Sequence, residues 1–253
     1  MERLTGFHCV HEALRARRRR LDRLWLRSDL ASEQATSLRA AAIAAGVAVL
    51  AAPPEMIRRE GSSNPQGVTL EAGPLPQLDL EELVEKIGNV DQSSRPRRLL
   101  ALDGVEDPQN VGALIRVAEA SGVDGLLLTN RRSPPLSPAL ARASAGAVEW
   151  LPVARIPNLA RSIKLLKSNG FWVIGADPDA SLSLFDAPDR LLGGPQLVLL
   201  GAEGRGLRPS IRALVDHALR IPMEGRVASL NVSAAGAVLL FELARRTNRE
   251  QPA

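Results

Sequence analysis

The apolar positions of this 253-residue chain change period along its length, and the changes mark its elements. Residues 1–72 predict a small α/β unit. A helix is expected over 8–19 and a strand at "LDRLWLR". A second helix runs through "SEQATSLRAAAIAAG", with Ser32 as its cap and Gly46 as its stop, and a strand follows at "VAVLA". "PPEMIRRE" reads as a short helix, and the loop "GSSNPQG" leads into a strand at "VTLEA". Residues 73–98 carry three prolines, a short acidic helix and a polar tract, and read as a linker.

From Leu99 onward short apolar runs alternate with helical periods. Strands are expected at "LLALD", "VDGLLLTN", "VEWLPV", "FWVIGAD", "PQLVLLG" and "HALRIPM". Helices are expected over 110–121, through "SPALARASAG" and "PNLARSIKLLKSNG", and over about 232–246. The last is apolar almost all round from Ala234 to Ala244. Short apolar strands alternating with helices predict a mostly parallel sheet covered on both faces.

Composition narrows the classes. Apolar residues make up 45% of the chain, enough for a real core. No long uncharged apolar run suggests a membrane span, and the start of the chain lacks a signal-peptide core, so a cytoplasmic protein is expected. A single cysteine, Cys9, excludes an intrachain disulfide. His8 and His11 share a helical face without an evident third ligand, so no metal is expected. The formal charge is +4, and arginine supplies nearly all of the basic side chains. The run "RARRRR" at 15–20 reads either as a solvated helix end or as a phosphate-binding patch. With no tyrosine, three tryptophans and four phenylalanines, an aromatic platform for single-stranded RNA is not expected.

Open α/β sheets bind ligands beyond the carboxyl ends of their strands, and three segments there are unusual. "DPQNVGALIRVAEASG" places Asn110 before an apolar helix face, as a plain cap or a site residue, and Arg116 off that face, solvated or functional. "LVLLGAEGRGLRP" holds closely spaced glycines around Glu203, an ordinary turn or a close approach to a ligand. "IPMEGRVASLNVSAAGAVLLFE" puts Ser229, Asn231 and Ser233 at a helix start, where Asn231 or Ser233 can cap and the remaining N–H groups can bind a polar ligand. Neither a dinucleotide fingerprint nor a P-loop is present.

Together the three segments resemble, in order and spacing, the three motifs of the SpoU/TrmH family of RNA ribose 2'-O-methyltransferases, in the SPOUT superfamily. The resemblance covers residues 99–246. "LTGFHCVHEAL" and "NPQGV" are similar to the L30e-like RNA-binding domain that precedes the catalytic one in ribosomal-RNA guanosine methyltransferases, with Pro65 where those relatives often carry histidine. The implied fold is α/β: a SPOUT-type parallel sheet with a C-terminal trefoil knot (99–253), preceded by an L30e-like α/β domain (1–72). The implied cofactor is S-adenosylmethionine, held in a bent form. Gly201, Ile221 and Leu230 would hold it largely through backbone, with Thr129, Ala202, Met223 and Ser229 as neighbours. Arg116 matches the family's catalytic arginine. Asn110 would orient Arg116 or the ribose, Glu203 would hold its own loop or Arg116, and Asn231 would contact ribose or cofactor.

The implied activity is 2'-O-methylation of a ribose, a guanosine in large-subunit ribosomal RNA, by a homodimer. Transfer RNA as substrate is the first alternative. A non-catalytic RNA-binding protein is the second, and an antibiotic-resistance enzyme acting on ribosomal RNA shares the same architecture.

Overall fold

The computed structural model describes residues 1–27, 33–52, 67–88, 95–227 and 229–249. The Ser32 cap, the "PPEMIRRE" helix and most of the "GSSNPQG" loop, Pro65 included, lie outside the described residues. In chain order the elements are β1 (Glu2–Thr5), α1 (Phe7–Ala16), β2 (Leu21–Arg27), α2 (Glu33–Ala44), β3 (Ala48–Ala52), β4 (Val68–Ala72), α3 (Leu80–Ile87), β5 (Arg98–Asp103), α4 (Pro108–Ala120), β6 (Gly125–Thr129) and α5 (Pro138–Ala143). They continue with β7 (Val153–Ile156), α6 (Leu159–Ser168), β8 (Trp172–Ala176), β9 (Leu182–Ser183), β10 (Gln196–Gly201), α7 (Pro209–Arg212), β11 (His217–Arg220) and α8 (Val232–Arg249).

The chain forms two compact units, and the first is discontinuous: it comprises Met1–Pro76 together with Pro135–Trp150. Its sheet runs β1-β4-β2-β3, antiparallel except for the β2–β3 pair. α1 buries Cys9, Val10, Ala13 and Leu14, the inward stripe of an amphipathic helix. Burial pushes the Cys9 thiol up to about 12, so it sits in the core as a small apolar group.

Segment 135–150 joins this unit through arginine. Arg19 is almost wholly buried. Its Nη2 and Nε grip the carboxylate of Glu149 at 2.7 and 3.1 Å, and its Nη1 reaches Glu2 at 2.7 Å and the Gly73 carbonyl at 3.2 Å. Arg18 donates to the Glu149 carbonyl at 3.2 Å. Arg15 pairs with Glu12 and lies 5.6 Å from the ring centre of Trp150, whose Nε1 donates to Glu12 at 2.8 Å. Part of the arginine run therefore staples a remote segment, a use that neither reading of the sequence offered. Burial outweighs the attraction of Arg19 and raises the Glu149 carboxyl above its ordinary range.

The same staple corrects the strand expected at "VEWLPV". Gly146 turns at φ 86°, Ala147–Glu149 form a single 3-10 turn, and the strand begins only at Val153, after Pro152. Glu149 is directed inward to Arg19 instead of alternating along a strand.

The second unit comprises Gln77–Pro134 and Leu151–Ala253. Its seven strands are all parallel, in the order β7-β6-β5-β10-β8-β11-β9. β5 is buried along its whole length, as a central strand covered on both faces must be. On one face α3 and α6 pack Leu80, Leu83, Leu159 and Ile163 against Leu99, Leu127 and Leu199. α3 and the Leu78 bridge to Ala154 fall inside the stretch read as linker, so residues 78–87 contribute to this core. The apolar spacing of Leu80, Leu83 and Ile87 and the Asp79–Glu82 capping box explain why.

α4 and α8 lie together on the other face, where Gly236 allows Leu114 and Leu200 to come too close for any side chain. α8 buries Leu239, Leu240 and Leu243 but leaves Phe241 half exposed, so its all-round apolar sequence does not mean all-round burial. The "HALRIPM" strand stops at Arg220, ahead of Pro222, which has no N–H to donate.

Two expectations follow. Arg19→Ala or Glu149→Ala leaves one buried charge without its partner and should cost about 3–5 kcal/mol in urea denaturation, whereas an apolar pair of similar volume at both positions should recover most of that. In the second unit, hydrogen bonds from Arg245 and then Arg246 hold the Glu242 carboxyl down at about 2. A depressed folded-state value stabilises above the ordinary glutamate range and is lost as pH falls towards 2. Acid titration of stability should therefore show wild type above Glu242→Gln at pH 7 and the gap closing by about pH 2.

Candidate active site

The site grows from the paired ends of β5 and β10, where Asp103 and Gly201 lie side by side. β10 enters the sheet between β5 and β8, at the point where successive strands diverge, and such a point opens a crevice at the carboxyl edge. Beyond Gly201 the chain doubles back: Ala202 bridges Gly206, whose N–H donates to the Ala202 carbonyl at 2.8 Å. A Cβ on Gly201 would fall inside contact distance of the Gly206 and Leu207 backbone, so only glycine fits. Gly204 and Gly206 take the positive φ that the turn requires, 71° and 62°.

Asp103 locks this loop from below. Its side chain is fully buried; one oxygen accepts the Arg208 N–H at 2.9 Å and the other accepts Arg208 Nε at 2.7 Å. Sequence reasoning passed over this pair. The signal for it was an acid closing an otherwise apolar strand, "LLALD".

The loop presents Glu203 to two distant asparagines. Asn110 Nδ2 donates to Glu203 Oε1 at 3.1 Å, Asn231 Nδ2 donates to Asn110 Oδ1 at 3.0 Å, and Asn231 Nδ2 also meets Glu203 Oε1. The three side chains close a triangle from three separate segments. Asn231 caps α8 as expected, its Oδ1 accepting the Ser233 N–H at 2.9 Å and the Ser233 hydroxyl at 2.5 Å. The Glu203 carboxylate sits at the same helix start, 3.4 Å from the Val232 N–H, where the helix dipole favours an anion.

Asn110 itself is not a cap. Asp107 caps α4 and Pro108 opens it, which places Asn110 inside the first turn with its side chain free for the triangle. Arg116 stands apart. It lies six residues, or about 9 Å of helical rise, further along α4, exposed and without a hydrogen bond or ion pair among the described residues. Neither Asn110 nor Glu203 holds it.

The remaining candidates border the same edge. Thr129 ends β6, its hydroxyl against the Arg131 carbonyl and 3.2 Å from the Ser133 hydroxyl. Arg155, which sequence reasoning did not single out, donates to the Thr129 and Pro134 carbonyls at 3.1 and 3.0 Å and fixes that turn. Ile221 follows β11 and is partly buried, while Ser229 is exposed. Met223 and Leu230 leave over a third of their surface open, 39% and 38%. Both lie on the segment between β11 and α8 and offer exposed apolar faces there.

Residues 97–241 match the SpoU rRNA methylase family, and residues 3–78 match the RNA 2'-O ribose methyltransferase substrate-binding domain. The chain is 38% identical over 245 residues to the 23S rRNA (guanosine-2'-O-)-methyltransferase RlmB of Ralstonia nicotianae, covering 96% of this chain and 95% of the relative. It is 36% identical over 252 residues to RlmB of Pseudomonas aeruginosa, covering 97% and 96%. The AdoMet-bound rRNA methyltransferase of Sinorhizobium meliloti superposes with a TM-score of 0.72 at 27% identity, over 96% of this chain and 87% of that one. The SpoU methyltransferase AviRb of Streptomyces viridochromogenes shares the fold, with a TM-score of 0.77 at 23% identity over 98% and 90%.

A methyl group at position 201 should force the 202–206 turn off β10. Gly201→Ala should lose at least about 1–3 kcal/mol of stability, and trypsin should cut at Arg205 faster than in wild type. Asp103→Asn should raise the same cleavage rate with a smaller loss of stability, because it frees the loop without displacing β10.

Proposed function

The chain belongs to the SpoU rRNA methylase family, and we propose that it transfers a methyl group from S-adenosylmethionine to the 2'-oxygen of a guanosine ribose in large-subunit ribosomal RNA. The observation that carries this reading is the closed Asn110–Glu203–Asn231 triangle at the carboxyl edge of the sheet. Three segments distant in sequence converge there around a strand end that only glycine can occupy.

S-adenosylmethionine supplies a methyl group on a positively charged sulfur. Gly201, Ile221 and Leu230 would hold it, with Thr129, Ala202, Met223 and Ser229 beside them. The open apolar surface of Met223 and Leu230 suits its adenine, and the backbone at 201–202 and 221–223 suits the polar edge of that ring. The ribose 2'-hydroxyl, a weak acid, would have to be aligned with that methyl group and lose its proton to accept it. The chain must therefore orient the ribose and favour negative charge on its oxygen.

Arg116 takes that second task. A guanidinium stays protonated at neutral pH, so it acts as an electrostatic stabiliser or a phosphate anchor and not as a base. It has no acid partner among the described residues, which leaves its full charge for RNA. Asn231 contacts ribose or cofactor. Glu203 fixes the two asparagines and the start of α8. The first unit, with the L30e-like fold, binds the RNA. The second unit carries the trefoil knot, formed where β10 enters between strands already laid down. The protein works in the cytoplasm as a homodimer, with the outward Ala234 and Ala237 of α8 facing the second copy. No described helix is long and apolar enough to cross a membrane, and the reaction needs no metal.

Arg116→Ala should lower kcat by about 10²–10³ while the dissociation constant for S-adenosylmethionine, measured by calorimetry, stays at the wild-type value. Wild-type turnover in this variant overturns the role of Arg116. Ribose-methylation mapping of RNA from cells with and without the gene should show the loss of one guanosine 2'-O-methyl in large-subunit RNA. A lost transfer-RNA methyl instead would move the substrate class, and an unchanged map would favour a binding protein.

A further inference from the structure

Three non-glycine residues among those described take a positive φ: Arg17 at 50°, Ala145 at 51° and Arg132 at 62°. The first two have an ordinary reason. Arg17 is the left-handed C-cap of α1, and Ala145 follows the C-cap of α5, positions where helices commonly end in this conformation. Arg132 ends no helix. It lies in the turn that follows β6, and arginine lacks the short polar side chain that lets asparagine or aspartate settle in this region.

That turn is held from several directions. The Asn130 N–H donates to the Ile156 carbonyl at 2.9 Å. The Thr129 hydroxyl donates to the Arg131 carbonyl and lies 3.2 Å from the Ser133 hydroxyl. Arg155 closes the turn across its two ends, on the carbonyls of Thr129 at 3.1 Å and Pro134 at 3.0 Å. A strained backbone persists only where its surroundings enforce it, and such positions gather at functional sites. Here the enforced residue is an exposed arginine with no hydrogen bond or ion pair among the described residues. The sequence has no acid between Asp124 and Glu149, so nothing in the neighbouring chain neutralises it.

Strand register places the charge. Ala101 of β5 pairs with Leu127 of β6, so Thr129, two residues on, comes level with Asp103, which pairs in turn with Gly201. Thr129 therefore ends its strand two strand spacings, about 10 Å, from Gly201. Arg132 belongs to the same carboxyl edge as the Asn110–Glu203–Asn231 triangle.

We propose that Arg132 anchors an RNA phosphate beside the nucleotide to be methylated, with the Thr129–Pro134 turn fixing its backbone. The proposal rests on the methyl-transfer reading of the site and adds a positioning residue to it. A guanidinium donates to two phosphate oxygens at once, and phosphate contacts set the register of a nucleic acid on a protein without reading its bases. An anchor whose backbone is already fixed loses less freedom on binding than one carried by a loose loop.

The test compares Arg132→Gly with Arg132→Lys in the full-length protein. Glycine takes a positive φ without strain, so Arg132→Gly keeps the turn and removes the charge, while Arg132→Lys keeps both charge and strain. Binding to an unmethylated transcript of large-subunit ribosomal RNA is followed over a range of salt concentrations, beside methyl transfer to the same transcript and calorimetric affinity for S-adenosylmethionine. Arg132→Gly should melt no lower than wild type and bind S-adenosylmethionine equally well. It should bind RNA at least about fivefold more weakly, with the slope of log K against log salt shallower by about 0.7–0.9, and kcat/KM should fall in proportion. Arg132→Lys should keep the wild-type slope with an intermediate affinity, and Arg190→Ala, which removes an exposed arginine from the turn before β10, should change neither.

Wild-type affinity and slope in Arg132→Gly overturn the proposal, as does a loss that Arg132→Lys shares in full without any change of slope. Failure of the wild-type protein to bind the transcript overturns it as well. Wild-type protein that binds the transcript but methylates no RNA would refute the methyl-transfer reading instead; a shallower slope in Arg132→Gly would then still support the phosphate contact, and an unchanged slope would overturn it.

Discussion

The carboxyl end of β10 has no room for a side chain, and the site is built on that restriction. Because position 201 is glycine, the chain can fold back directly over its own strand and return through Gly206. The returning loop is then tied down by Arg208 to Asp103, one strand away and in register with Gly201. Only a loop held this tightly can present Glu203 at a fixed position to Asn110 and Asn231. Each later feature inherits its precision from the one before: a close backbone approach, a buried carboxylate beneath it, a hydrogen-bonded triangle above it.

Arginine serves three distinct purposes in this chain, and burial with partnership separates them. Arg19 is enclosed with Glu149 and Glu2 and acts as a structural rivet. Arg155 is spent on the carbonyls that shape the Thr129 turn. Arg116 is exposed and unengaged among the described residues. One residue type therefore appears as buried scaffold, as backbone support and as an open charge, and its partners distinguish the three where its sequence position does not.

Much of this was legible in the chain before any coordinates. The strands expected at "LLALD", "VDGLLLTN" and "PQLVLLG" and the helix after Asn231 are set by local period and capping, and the structure has a strand or helix within each, at Arg98–Asp103, Gly125–Thr129, Gln196–Gly201 and Val232–Arg249. The resemblance grouped Asn110, Arg116, Glu203 and Asn231, and the structure brings three of them together while Arg116 stands apart; Asn110 looked like a cap because the Asp107–Pro108 start lay just upstream. The grip of Asp103 on Arg208 was not legible, since it joins residues 105 apart in sequence and depends on β5 and β10 lying side by side. Nor was the inward use of the arginine run, because a run of charge reads as solvent-facing until an acid from residue 149 is brought beside it. Local physics is written in neighbouring residues; pairing across the sheet is written only in the fold.

The discontinuity of the first unit bears on how such a protein can be divided or recombined. Residues 135–150 lie between two strands of the methyl-transfer sheet, yet fold with the amino-terminal residues. The chain thus passes between the two units three times. A fragment cut after residue 98 keeps Glu149 and Trp150 but loses Arg19 and Glu12, their partners. Exchanging residues 1–76 for the front domain of a relative would set an unfamiliar surface against the same segment. The substrate-binding unit is therefore not a detachable cassette, and a new RNA specificity acquired by domain exchange would have to arrive with its own version of residues 135–150.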